Sequence, residues 1–406
     1  MSERSFLEKD FPNIWDYLYA YGNTSFQELR FNDADNLVLA CLAYIPWEQF
    51  EKTNESFKPL SLKQAAEDFL YWLRPDFLLY HYPDWSKKQI LVAAALLKSS
   101  RFSSLQWTSF GFEFSDKDKT QFGAFCIELD EHTIAVCYRG TDNSILGWKE
   151  SRNLAIYPSV PGQVSAAKFL KEQRQRYPER KFVVLGHSKG GNLAVYAASM
   201  LSKEESERIL TVYSDDGPGL AKEIYDLPGH LRMQEKIIHI VPQCDVVGSL
   251  LLHEQVTKIV LSSPKNDFVN QHDLANWHLK KDCLYELDTV DALDPTALLL
   301  ADSVNELLET KLKEKKEKER LVSGLFSTIN DIGITEAGQI IANPSRFRRK
   351  FILEFPKQDK KEKKARMSFA FDLARIIQKN WAKNRSLNKK KVKESPFILS
   401  KESSKT

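Results

Sequence analysis

A serine hydroxyl becomes a useful nucleophile only when a tight turn between a buried strand and a helix holds it out, with a base beside it. The segment Lys181-Phe-Val-Val-Leu-Gly-His-Ser-Lys-Gly-Gly-Asn192 has those ingredients: a short apolar run, then Gly186-His187-Ser188-Lys189-Gly190, then a helix start with Gly191 for close packing. The flanking glycines permit the turn because a Cβ would clash there. The plainer alternative is a glycine-rich turn carrying an inert serine. A phosphate loop is excluded, since the spacing between glycines is wrong and no Gly-Lys-Ser/Thr ending follows.

A nucleophilic serine needs a base, and the base an orienting acid. In this architecture they follow in the order Ser, Asp or Glu, His, each after a later strand. Asp245, in Val241-Pro-Gln-Cys-Asp245, is the expected acid; Asp215 and Asp216, in Ser214-Asp-Asp-Gly-Pro218, compete but read more readily as a turn. His230 and His239 precede Asp245, and His253 precedes the Val256–Leu261 run. His272, in Asn270-Gln-His-Asp-Leu274, follows that run with enough loop to fold back, and is the expected base. His278 lies further along, where it reads as a surface histidine on a helix. An oxyanion needs two donors. The backbone N–H of Lys189 is one candidate. Thr141, in Tyr138-Arg-Gly-Thr-Asp142, is the other, offering its N–H and its hydroxyl, unless this loop is only a β-turn.

These residues need a frame. Asp33–Tyr44 and Leu62–Leu73 repeat apolar residues at helical spacing, and Gln121–Glu128 with Thr133–Tyr138 reads as a hairpin turning at Asp130-Glu131. Beyond it, helical segments (Val164–Arg176, Asn192–Leu201) alternate with the buried-type runs Phe182–Leu185, Ile209–Tyr213, Ile237–Val241 and Val256–Leu261. Such alternation predicts an α/β fold, a mostly parallel sheet with flanking helices, and the elbow motif at Ser188 makes the α/β-hydrolase fold the expected kind. The expected division is a helical lead-in at 1–27, a catalytic domain at 28–290, a helical extension at 291–344 and a basic tail at 345–406.

The composition fits a globular chain: 406 residues, 42% hydrophobic and 28% charged. Five scattered cysteines without a CxxC pair indicate neither zinc nor a dithiol centre. No metal or organic cofactor is expected. Met1–Tyr17 lacks the apolar stretch of a secretory signal, so the expected location is cytoplasmic. The net charge of +3 hides a split, because residues 345–406 carry 20 Lys/Arg against 6 Asp/Glu. The tail therefore reads either as a solvated segment or as a contact for an anionic membrane, and specific nucleic-acid binding is not expected. Within it, Met367, Phe371, Ala374, Ile377 and Trp381 fall near one helical face, which suits a membrane surface or a helix docked on the core.

With these motifs assembled, the chain resembles the class 3 lipases, and more closely a bacterial family of lipase-like α/β hydrolases, over roughly Asn13 to Asn343. The resemblance places the side-chain oxyanion donor on Thr141 in Tyr138-Arg-Gly-Thr141 with Trp148 downstream, the elbow on Gly186–Gly190, and the acid on Asp245-Val-Val. Gln271-His272-Asp273 followed by Trp277 is similar to the closer family. One position departs: Ser151 stands where such lipases have an Asp to pair with the arginine of the Arg-Gly segment, so Glu150 or another acid must serve Arg139. The resemblance implies hydrolysis of a carboxylic ester, an acylglycerol or phospholipid, through an acyl-enzyme on Ser188, Asp245 and His272. The competing expectation is a non-catalytic adaptor that keeps the hydrolase shell and binds membranes or proteins through its tail.

Overall fold

In the computed structural model, residues 11–48, 60–72, 91–142, 144–254, 256–280, 283–287, 292–310 and 371–382 are described. Eight strands form one sheet in chain order: β1 Leu60–Ser61, β2 Gln106–Ser115, β3 Thr120–Glu128, β4 Thr133–Tyr138, β5 Lys181–His187, β6 Ile209–Asp215, β7 Ile237–Pro242 and β8 Lys258–Val260. β1 to β4 pair antiparallel, and β4 to β8 pair parallel. The change of direction follows from the connections. A tight turn joins β3 to β4, whereas each parallel step needs a crossover long enough to cover a face. The helices used below are α1 Ile14–Tyr21, α2 Asp33–Leu42, α3 Leu62–Trp72, α4 Ile145–Asn153, α5 Pro161–Arg176, α6 Lys189–Ser199, α7 Phe268–Gln271, α8 Pro295–Thr310 and α9 at 371–382. This is an α/β-hydrolase fold with a helical C-terminal part, as the alternation predicts. β2 was not foreseen, since its apolar residues are interrupted by Ser109, Gly111 and Glu113.

Side chains alternate across a strand, and two cores result. Phe122, Ala124 and Cys126 of β3 pack with Val136, Phe182, Val184 and Leu193 against α5 and α6. Phe125 and Ile127 face the other way, with Trp107, Leu185 and Trp277, under α1 and α2. Both of those helices start with a capping box, Asn13 with Asp16 and Asn32 with Asp35. Asp35 also takes two bonds from the Arg101 guanidinium, at 2.8 and 2.5 Å, and one from the Tyr17 hydroxyl at 2.8 Å. Removing one partner of such a buried pair costs about 3–5 kcal/mol, so α2 is firmly anchored.

A third cluster joins the C-terminal helices to the loops after β7 and β8. Cys244, Val246 and Phe268 pack with Leu300, Val304 and Leu307 of α8 and with Leu373, Ile376 and Ile377 of α9. Lys379 pairs with Glu306 at 2.7 Å. The buried face of α9 is therefore not the expected one. Ile377 is inside, but Phe371 and Trp381 are each 48% exposed, and Met367 lies outside the described residues. The seam along α8 accepts the 373, 376, 377 spacing, which leaves the two aromatic rings on the outside. Among the described residues no helix is long and apolar enough to cross a membrane.

Candidate active site

β5 runs into α6 through Ser188, whose backbone is strained at φ 57°, ψ −128°. Positive φ in a residue with a side chain costs free energy and persists only where the surroundings enforce it. Here they do. The Ser188 N–H donates to the Asp215 carbonyl at 2.9 Å. A Cβ on Gly186 would lie 2.3 Å from the Gly190 carbonyl, and one on Gly190 would lie 2.3 Å from the Tyr138 carbonyl. Strand, elbow and helix can thus close only with glycine at both positions. The serine stays partly exposed while the residues around it are buried.

Lys189, next to it, is 1% exposed. Its ammonium donates to the Gln121 carbonyl (2.7 Å), to Gln121 Oε1 (2.5 Å) and to Glu150 (2.8 Å). Burial pulls the ammonium's pKa down and Glu150 opposes it. Glu150 also accepts from the N–H groups of Gln121 at 3.0 Å and Gly162 at 2.7 Å. The side chain therefore ties the first turn of α6 to β3, α4 and α5, and its backbone N–H lies at a helix N-terminus, where developing negative charge is favoured.

His272 follows α7, and its ring centroid lies 4.5 Å from that of His187, the residue before Ser188. The imidazole is thereby brought to the elbow. Its Nδ1 lies 2.6 Å from Asp216 Oδ2. With Asp216 ionised, Nδ1–H is the donor and Nε2 remains free to accept a proton. Burial favours the uncharged form of each group: it pushes His272 down to about 4, against Asp245 and Asp273, and Asp216 up to about 6. The loop is held on both sides. Gln271 Oε1 accepts from the Cys244 N–H at 2.9 Å, and the Gln271 carbonyl accepts from the Trp277 indole at 2.7 Å.

The carboxylate that meets His272 is Asp216, not the expected Asp245. Asp216 sits in the turn after β6 at φ 47°, a twist that presents its carboxyl at the sheet's carboxyl edge. Asp245 lies behind it, accepting from the Gly248 N–H at 2.8 Å and the Ser249 hydroxyl at 2.5 Å. Asp215, the other member of the Asp-Asp pair, points elsewhere and accepts from Asn36 Nδ2 at 2.9 Å on both oxygens. Burial raises Asp215 to about 8 from an ordinary 3.8. The folded state thus holds an extra proton there between about pH 4 and 8; the associated stability is present below about 4 and lost as pH rises through 8. Asp215→Asn, which cannot ionise, is expected to flatten the fall in Tm between about pH 4 and 8. Parallel Tm–pH curves for both proteins would show instead that the native carboxyl is ionised throughout.

Thr141 Oγ1 lies 2.5 Å from Ser151 Oγ, and the Ser151 hydroxyl donates to the Gly147 carbonyl at 2.9 Å. Ser151 has spent its one hydrogen, so Thr141 is the donor between the two. For its hydroxyl to serve an oxyanion it must turn away from Ser151; its N–H needs no such change. Arg139 is not short of an acid: it pairs with Glu48 through both terminal nitrogens, at 2.9 and 2.6 Å, and donates to the carbonyls of Ala43 and Ile45. Glu150 is taken by Lys189.

The other histidines are placed by their own partners. His253 Nδ1 is 2.7 Å from the Glu254 carbonyl and its ring lies 4.9 Å from that of His239. His278 is 8% exposed in an extended segment, Nε2 at 2.8 Å from Ser263 Oγ, so it is neither helical nor on the surface. A supporting chain that sequence reasoning missed runs through His187. Its Nε2 lies 2.7 Å from the His272 carbonyl, which can only accept, so Nε2 carries the hydrogen and Nδ1 accepts from the Tyr44 hydroxyl at 2.7 Å. Burial, with His272 beside it, keeps His187 neutral by pushing its pKa well below 6.5. The signal for it was faint: a histidine inside the elbow motif and a tyrosine more than a hundred residues earlier.

The family model described as Mbeg1-like matches residues 96–327, more than half of the chain. The chain belongs to the Mbeg1-like family. That family is class 3 lipase-like, and the matched span holds Thr141, Ser188, Asp216, Asp245 and His272. No curated protein matches the chain. Among solved structures, the Mbeg1-like chain is similar to a fungal lipase–inhibitor complex, with 19% identity, TM-score 0.31, and 43% of this chain and 70% of that one covered. It is also similar to a mutant form of MDLA from Penicillium cyclopium, with 16% identity, TM-score 0.35, and 62% and 83% covered. A third is the Rhizomucor miehei lipase propeptide complex, with 14% identity, TM-score 0.33, and 56% and 67% covered. Sheet order, elbow and family match carry the fold. Among the described residues no group of three or more His, Cys, Asp or Glu is arranged to hold a metal ion.

Proposed function

We propose that the chain is a serine hydrolase that cleaves a carboxylic ester, an acylglycerol or a phospholipid, through an acyl-enzyme. The observation that carries this reading is the strained elbow at Ser188 with an imidazole beside it whose Nδ1 is 2.6 Å from a buried carboxylate. In the proposed mechanism Ser188 Oγ attacks the ester carbonyl while His272 Nε2 takes its proton. Asp216 holds the imidazole in the required tautomer and stabilises the imidazolium. The oxyanion is received by the Lys189 N–H and by Thr141, its hydroxyl turned from Ser151 or its N–H. His272 returns the proton to the leaving alkoxide, and water then repeats the sequence on the acyl-enzyme. The reading includes a peripheral contact of the basic tail, 345–406, with an anionic membrane, supported by its 20 Lys/Arg against 6 Asp/Glu and by the exposed Phe371 and Trp381.

A burst of alcohol release equal to the enzyme concentration, followed by slower turnover, is expected with an activated short-chain ester whose deacylation is rate-limiting. On phospholipid, turnover should be higher on anionic than on zwitterionic vesicles, with the difference shrinking as salt is added. Equal rates on both surfaces would remove the membrane contact. Absence of turnover on every ester would remove the hydrolase reading.

A further inference from the structure

Asp216 and Asp245 are each 1% exposed, and one N–H serves both: Gly248 N lies 2.9 Å from Asp216 Oδ1 and 2.8 Å from Asp245 Oδ1. Two carboxyl oxygens that accept from one hydrogen lie close to each other. A bond between carboxyls requires a proton on one of them. Among the described residues no lysine or arginine pairs with either, and His272 is the side chain that can offset charge there. The surroundings are acidic. Asp216 acts on Asp215, Asp273 acts on His272, and Asp267 and Asp294 act with the pair on the buried Cys244 thiol; His239 Nε2 would lie 3.2 Å from a Cβ at Gly248. A second negative charge in this place has no counter-ion and little solvent.

We propose that Asp216 and Asp245 hold one proton between them, with Asp245 the neutral donor, so that Asp216 meets His272 as a single oriented anion. The charge belongs on Asp216 because the imidazole N–H is there to receive it, while Asp245 has only the neutral donors Gly248 and Ser249. Burial raises both groups, and their mutual bond raises Asp245 further while lowering Asp216, which is the same order. Asp245 is then a positioning residue. It fixes the anion, and its own proton stays in place when His272 takes the proton of Ser188. The catalytic consequence rests on the role proposed above for His272; the protonation state does not.

Two measurements separate those questions. In the full-length protein with 13Cγ-labelled aspartate, the Asp245 carboxyl should be protonated at pH 7 and the Asp216 carboxyl ionised, whatever the turnover. An ionised Asp245 at that pH overturns the proposal, even in an active enzyme; an inactive wild-type protein overturns the hydrolase reading and leaves this measurement standing. In kinetics, Asp245→Asn, a neutral donor of the same shape, should lower ester turnover less than about tenfold and keep the acidic limb of the pH–rate profile in place, whereas Asp216→Asn should lose about 10⁴-fold. Asp245→Ala removes the donor, so its acidic limb should move to higher pH. Equal losses in Asp245→Asn and Asp216→Asn, both folded, would make Asp245 an ionised acid and contradict the proposal.

Discussion

Ser188→Ala is expected to lower ester turnover by a factor on the order of 10⁶, to the residual rate that binding and oxyanion contacts alone support. The reason is structural before it is chemical. The elbow holds Ser188 at φ 57° with its amide on the Asp215 carbonyl, while Gly186 closes on Gly190 and Gly190 on the Tyr138 carbonyl. Those restraints act on the backbone, so removing the hydroxyl leaves them in place, and Tm should change little. Rate and stability should therefore separate. If turnover survived in the folded variant, the hydroxyl would not be the nucleophile and the strain at this turn would need another explanation.

His272→Ala should cost turnover nearly as much, on the order of 10⁴- to 10⁶-fold, because without a base the hydroxyl stays protonated. Its pH profile adds a second readout. The base must be neutral and its carboxylate ionised; burial sets Asp216 at about 6 and His272 at about 4, so activity should fall as pH drops through about 6 and more steeply below about 4. That limb should be missing from the residual rate of His272→Ala. His253→Ala and His278→Ala serve as controls. They disturb the His239 ring contact and the Ser263 bond respectively, and each should cost about 1–2 kcal/mol of stability with turnover retained. A folded, inactive His253→Ala would place the base before β8 and displace His272 from its role.

Much of the frame was legible because strands buried on both faces leave a continuous apolar run, as in Phe182–Leu185 and Ile237–Val241, and because the elbow is local in sequence. Local patterns also gave the hairpin and the helices at Asp33–Leu42 and Leu62–Trp72. The choice between carboxylates was not legible. Asp216 and Asp245 each follow a strand, and only the three-dimensional turn at φ 47° after β6 brings Asp216 to His272 while Asp245 turns to Gly248 and Ser249. The partner of Arg139 was hidden for the same reason, since Glu48 lies ninety-one positions away. On α9 the periodicity was real, but two apolar stripes compete on a short helix, and only the surface of α8 decides that Leu373, Ile376 and Ile377 face inward.

The most direct test is to treat the full-length protein with a fluorophosphonate and map the adduct by peptide mass spectrometry. A phosphonylating probe reacts with a serine only where the hydroxyl is exposed and a base removes its proton. The expected result is one adduct per chain, on Ser188, absent from Ser188→Ala and slowed by orders of magnitude in His272→Ala. An unlabelled folded protein, or an adduct on a different serine, would contradict the assignment of the elbow as the catalytic centre.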